Sequence, residues 1–166
     1  MNQTLESLLR FVNLTTSGLL AGSLGFGDQA LVPGWQNELP QYGDHRARAI
    51  AALTDATNYF NAIGPVALGT AVTLAVGTRG VKPMKRALDA AAAISLAGVL
   101  AATIMVTVPI NKELEGHAPT DYPSDRSQSL VKNWSRAHAV RTTLGVGAFL
   151  CAVASNLART RQRSIK

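Results

Sequence analysis

Charge is missing from four long stretches of this chain, and that absence limits the fold more than any other feature. No Asp, Glu, Lys or Arg falls between Arg10 and Asp28, between Asp55 and Arg79, between Asp89 and Lys112, or between Arg141 and Arg159. A helix on the surface of a soluble bundle carries a polar stripe along its outer side. These blocks lack one, and each approaches the roughly 20 apolar residues that cross a bilayer. The expected fold is therefore all-α, an up-and-down bundle of four transmembrane helices. The spans are placed near residues 8–31, 56–78, 88–110 and 139–158, within one domain of residues 1–166. Long outer loops join helices 1 and 2 and helices 3 and 4.

The ten acidic and sixteen basic residues are left to the loops and ends. Their distribution sets an orientation. Arg79, Lys82, Lys85 and Arg86 crowd the short second loop, and Arg159, Arg161, Arg163 and Lys166 end the chain. Lys and Arg favour the cytoplasmic side, so a multi-pass membrane protein with both termini cytoplasmic is expected. The basic balance thus follows from topology, and nucleic acid is not an expected partner. Cys151 is the single cysteine and lies inside the fourth block, where it reads as a small packing residue. The first block has almost no basic residues ahead of it and no clear cleavage site, so it is read as a retained span.

Small residues recur along the first span. Gly18 and Gly22, Ala21 and Gly25, and Ser23 and Gly27 are each four apart, a spacing that lets helices approach closely in lipid. Asp28 ends this span and should face protein or headgroups; it is a candidate substrate-binding residue. Trp35 and Tyr42 suit an interfacial belt. From Arg46 onward an amphipathic turn or two should lead into the second span, which Pro65 would kink or loosen. Asn58 and Asn61 precede that proline. Interhelical hydrogen bonding is the simpler role for both, with substrate binding by Asn61 as the alternative. Asp89 is expected to pair with Lys85 and Arg86 at the membrane surface. The third loop should be irregular until about Ser129.

The polar residues most suggestive of chemistry flank that third loop. Val108-Pro109-Ile110-Asn111-Lys112 closes the third block, and Trp134, His138 and Arg141 open the fourth on one helical stripe. An aromatic plate, a titratable base and a fixed cation are parts suited to a planar, ionisable molecule. An interfacial anchor, with Arg141 on lipid phosphate, explains the same residues, and from spacing alone that reading leads. His45, His117 and His138 all fall on the outer side, yet their spacing matches no metal motif. No cofactor is expected, and a metal or haem has no supporting motif.

The Val-Pro-Ile-Asn-Lys block, the Trp134, His138 and Arg141 stripe, and the glycine-rich first span together resemble the anthrone oxygenase-like family of small four-helix membrane proteins. That resemblance covers most of the chain. It implies an oxidoreductase reading, in which His138, Arg141 and Asn111 are catalytic and Trp134 binds substrate. His138 would remove a benzylic proton from an anthrone, Arg141 would stabilise the enolate, Asn111 would orient the substrate, and Trp134 would stack on it. The expected partners are the lipid bilayer and a small hydrophobic aromatic molecule. The competing reading is a non-enzymatic membrane subunit or scaffold, packing as a homo-oligomer or against a partner membrane protein. A small-molecule carrier is a third. A cavity shared by Asn111, His138 and Arg141 would favour the enzyme.

Overall fold

A computed structural model describes the backbone of residues 1–33, 43–77, 83–115 and 124–163, and their side chains except in 43–57, 114–125, 127–128 and 159–163. Trp35, Tyr42 and His117 lie outside the described residues, as does the His45 side chain. Helix α1 spans Gln3–Phe26, α2 Gly43–Gly77, α3 Pro83–Ala102, α4 Val108–Glu115 and α5 Ser124–Arg163. A π-helical turn, Gly27–Leu31, extends α1, and another, Thr103–Thr107, joins α3 to α4. Helix α1 packs on α2 and α5, and α3 packs on the same two, so four long helices close a ring with α1 diagonal to α3. The expected up-and-down four-helix bundle is the fold.

Local sequence explains several boundaries. Asn2 caps α1, its Oδ1 accepting from the Thr4 backbone N–H at 3.1 Å. Pro109 cannot supply an N–H to the carbonyl four residues back, and its ring crowds that carbonyl. The widened turn at Thr103–Thr107 comes just before it, which is how the rod passes Pro109 without breaking. Pro65 lies inside α2, which continues through it as one helix. Two elements are longer than expected: α2 begins at Gly43, and α5 at Ser124, five residues ahead of Ser129.

Three segments, Asn58–Gly77, Pro83–Glu113 and Ser129–Ala158, are long and apolar enough to cross a membrane. Helix α1 has the length but is more polar, because Asn13, Thr15, Thr16, Ser17 and Ser23 interrupt it. It turns much of that polarity inward. Asn13 is buried and donates through Nδ2 to the Ala67 carbonyl and to Thr70 Oγ1, both at 3.1 Å, tying α1 to α2. The apolar core between the helices is built from Leu20, Leu24, Ala67, Ala71, Leu96, Val99 and Ala148. The outward surface, by contrast, exposes Phe11, Ile94, Met105 and Leu150, the arrangement lipid favours.

The bundle's two ends differ. At the end holding the termini, Arg10, Lys85 and Asp89 are buried together. Arg10 grips Asp89 with two hydrogen bonds of 3.1 and 2.9 Å, donates through Nε to Glu6 at 2.9 Å, and reaches Ser155 at 3.0 Å. Ser155 donates in turn to Asp89 at 2.6 Å, and Lys85 meets Glu6 at 3.1 Å. Two cations and two carboxylates cancel, and three helices are pinned. Asp89 does pair with Lys85, as expected, but its main partner is Arg10 across the bundle. Burial would raise the Glu6 pKa, yet hydrogen bonds and charge from Arg10 and Lys85 outweigh it and hold the carboxyl at about 2.

Candidate active site

The other end holds a cavity of about 480 Å³, within the range of small-molecule sites. All four walls of the bundle contribute. Helix α1 and its π turn supply Gly22, Ser23, Phe26, Gly27 and Leu31; α2 supplies Tyr59, Phe60 and Asn61; the α3–α4 rod supplies Thr103, Thr107, Val108 and Asn111; α5 supplies Trp134, His138 and Arg141. Five of the six candidate site residues thus line one cavity. The sixth, Asp28, stands beside it on the π turn, half-buried, accepting from Gln29 Nε2 at 3.2 Å. Asn61 is exposed at the rim. Neither it nor Asn58 makes an interhelical hydrogen bond with a described residue, so the simpler role foreseen for them does not hold.

The α5 stripe forms as its spacing requires. Trp134 and His138, one turn apart, stack with ring centres 4.9 Å apart and planes 8° from parallel. One indole face is therefore taken by the imidazole, and Trp134 is buried, so it offers a ligand less stacking surface than the sequence suggested. The indole N–H donates to Asn111 Oδ1 at 3.0 Å, which fixes the amide's orientation. Asn111 Nδ2 makes no hydrogen bond with a described residue, and Asn111 lines the cavity. It is a free donor at the wall.

His138 approaches α1 where the π turn begins. Its Nε2 lies 3.1 Å from the Leu24 carbonyl oxygen. A carbonyl only accepts, so Nε2 carries the proton and Nδ1 holds the lone pair. Nδ1 is buried with no hydrogen-bond partner among the described residues. Thr142 donates to the same carbonyl at 3.3 Å. The close approach depends on Gly27, since a Cβ there would fall 2.8 Å from His138 Nε2. Sequence reading valued Gly27 for helix packing; its role is to admit the imidazole. Elsewhere the glycine face is only partly used: Gly18 meets Phe149, whereas Gly22 and Gly25 face open space.

Arg141 lies one turn deeper. It is 4% exposed, its guanidinium carbon sits 5.4 Å from the Phe60 ring centre, and its Nη1 reaches Thr107 Oγ1 at 3.4 Å. Its Nε has no partner, and no carboxylate among the described residues pairs with it. Phe60 and Thr107 escaped the sequence reading. In the sequence Phe60 is one apolar residue within the second span and Thr107 lies inside an apolar run, although Thr103 and Thr107 four apart in that run are a visible signal. The described residues contain no cluster of three or more metal-ligating side chains.

The donors thus meet at one cavity whose walls are mainly apolar. No curated protein and no solved structure matches the chain. The family model for anthrone oxygenase matches residues 56–151, more than half of the chain, and that stretch carries Asn61, Phe60, Thr107, Asn111, Trp134, His138 and Arg141. Three membrane-length apolar helices and this match make it an integral membrane protein. The chain belongs to the anthrone oxygenase family.

Proposed function

We propose that the protein is a membrane-embedded oxygenase acting on a lipophilic phenolic, anthrone-like substrate in this cavity. The observation that carries the reading is that Asn111, His138 and Arg141, drawn from two elements, line one chamber with apolar walls. Had they faced lipid headgroups separately, the anchor or scaffold reading would stand. With the short basic loop and the basic tail on the cytoplasmic side, the cavity opens in the outer half of the bilayer.

The chemistry follows from the substrate class. An anthrone methylene is acidic because its carbanion delocalises into an enolate. Loss of two hydrogens and gain of one oxygen gives the quinone carbonyl, and the second oxygen atom leaves as water. Four electrons pass from carbon to dioxygen. His138 is the proton acceptor in this scheme. Its free lone pair is on Nδ1, which is closed off, so the ring must turn toward the cavity. Thr142 keeps the Leu24 carbonyl bonded when it does, which lowers the cost of that turn. Arg141 stabilises the negative oxygen of the enolate, and Asn111 Nδ2 orients a ring oxygen. Trp134 backs the imidazole plane, along which the ring can turn, and holds the amide in place.

The test is oxygen uptake and quinone formation by purified protein in detergent, given an anthrone. His138→Ala should cost about a hundredfold or more in kcat, the usual worth of a positioned proton acceptor. A variant that keeps full activity removes His138 from that role.

A further inference from the structure

Two arginines are deeply buried among the described residues, and they contrast. Arg10, 3% exposed, has its charge answered by Asp89 and Glu6. Arg141, 4% exposed, has among the described residues only a long hydrogen bond to a neutral hydroxyl and the face of Phe60. Among the described residues it is also the single charged one in the cavity wall. Asp28, the acidic residue on the neighbouring π turn, forms no ion pair with it among the described residues. A buried cation without a counter-charge is costly in any protein and more so in a bilayer-spanning segment. The cation–π contact and a 3.4 Å bond offset a small part of that.

We infer that the cavity takes ligands already carrying an ionised oxygen, a carboxylate or an acidic phenolate, seated against Arg141 as its missing counter-ion. The ligand's orientation follows. The deep wall, Thr107, His138 and Arg141, is at most 5% exposed, whereas Phe26 and Tyr59 at the α1–α2 side are 64% and 38% exposed. The charged head therefore points inward and the apolar aromatic body points toward the exposed side of the cavity, at Phe26 and Tyr59. Asn111 Nδ2 adds a neutral donor near the head. This goes beyond enolate stabilisation, because the anion is present before any chemistry. It rests on the cavity being the substrate site.

Binding tests it without turnover. Purified full-length protein in micelles is titrated with two matched pairs: anthracene carboxylate against its methyl ester, and dinitronaphtholate against its methyl ether. At least one ionised probe should bind tenfold or more tighter than its neutral partner, and which pair does so distinguishes carboxylate from phenolate. Arg141→Met and Arg141→Gln should abolish the preference, while Arg141→Lys retains part of it. Ligand-free Arg141→Met should melt no lower than wild type, since it removes an unanswered charge. Equal binding of charged and neutral partners, or a preference that survives in Arg141→Met and Arg141→Gln, overturns the inference. Ionised-ligand binding without oxygen uptake from any anthrone would support it and refute the oxygenase reading alone.

Discussion

At the scale of single residues, burial gives the same side-chain types opposite meanings. Arg10, Lys85, Glu6 and Asp89 form a neutral network in which, among the described residues, no fully buried side-chain polar atom lacks a partner. Its role is to lock three helices. Removing one member strands the others: Asp89→Ala leaves Arg10 and Lys85 short of charge inside the bundle, and should cost about 3–5 kcal/mol. Reversible unfolding in mixed micelles reads that loss directly, and a change below about 1 kcal/mol would mean that water or lipid phosphate reaches Arg10 instead. Arg141 and Asn111, by contrast, keep donors unused among the described residues, and both residues line the cavity. The stripe of Trp134, His138 and Arg141 was legible from the sequence because helical spacing alone puts those residues on one face. Their division of labour was not. That Trp134 spends one face on His138, and that His138 Nε2 is committed to Leu24, depends on side-chain rotation, which spacing does not encode.

At the scale of elements, the site is made by two departures from α-helical geometry. The π turn after α1 begins at Gly27, against His138, and the π turn between α3 and α4 brings Thr107 and Asn111 to the wall. Pro109 announced the second, since a proline deep in an apolar run must disturb the turn before it. The first has no comparable signal, as Gly27 is one of several glycines and only the packed structure singles it out. Gly27→Ala would drive a methyl group into the imidazole. We expect it to lower turnover of an anthrone by about a hundredfold, the scale of an ångström-sized misplacement of a reacting group, while the bundle still folds. Equal turnover in this variant would mean that the His138 position is not critical. The charge-free blocks located all four long helices, because lipid excludes charge whatever the helix packs against. They overstated the apolarity of α1, whose Asn13 and Ser17 are turned into the bundle and not toward lipid.

At the scale of the whole molecule, stability and chemistry occupy opposite ends. The charged network clamps the end with the termini, the Leu- and Ala-rich core fills the middle, and the cavity takes the far end, lined from all four walls of the bundle. A lipophilic aromatic substrate concentrates in the bilayer, so a chamber opening beside lipid-facing Phe26 suits its supply. If this chamber performs oxygenation, dioxygen and substrate must be consumed together. The most direct measurement supplies purified wild-type protein with an anthrone under isotopically labelled dioxygen, following uptake and product mass together. One dioxygen should be consumed per quinone formed, with one labelled atom in the new carbonyl and a rate far above spontaneous autoxidation. Quinone formation no faster than in a protein-free control would contradict it.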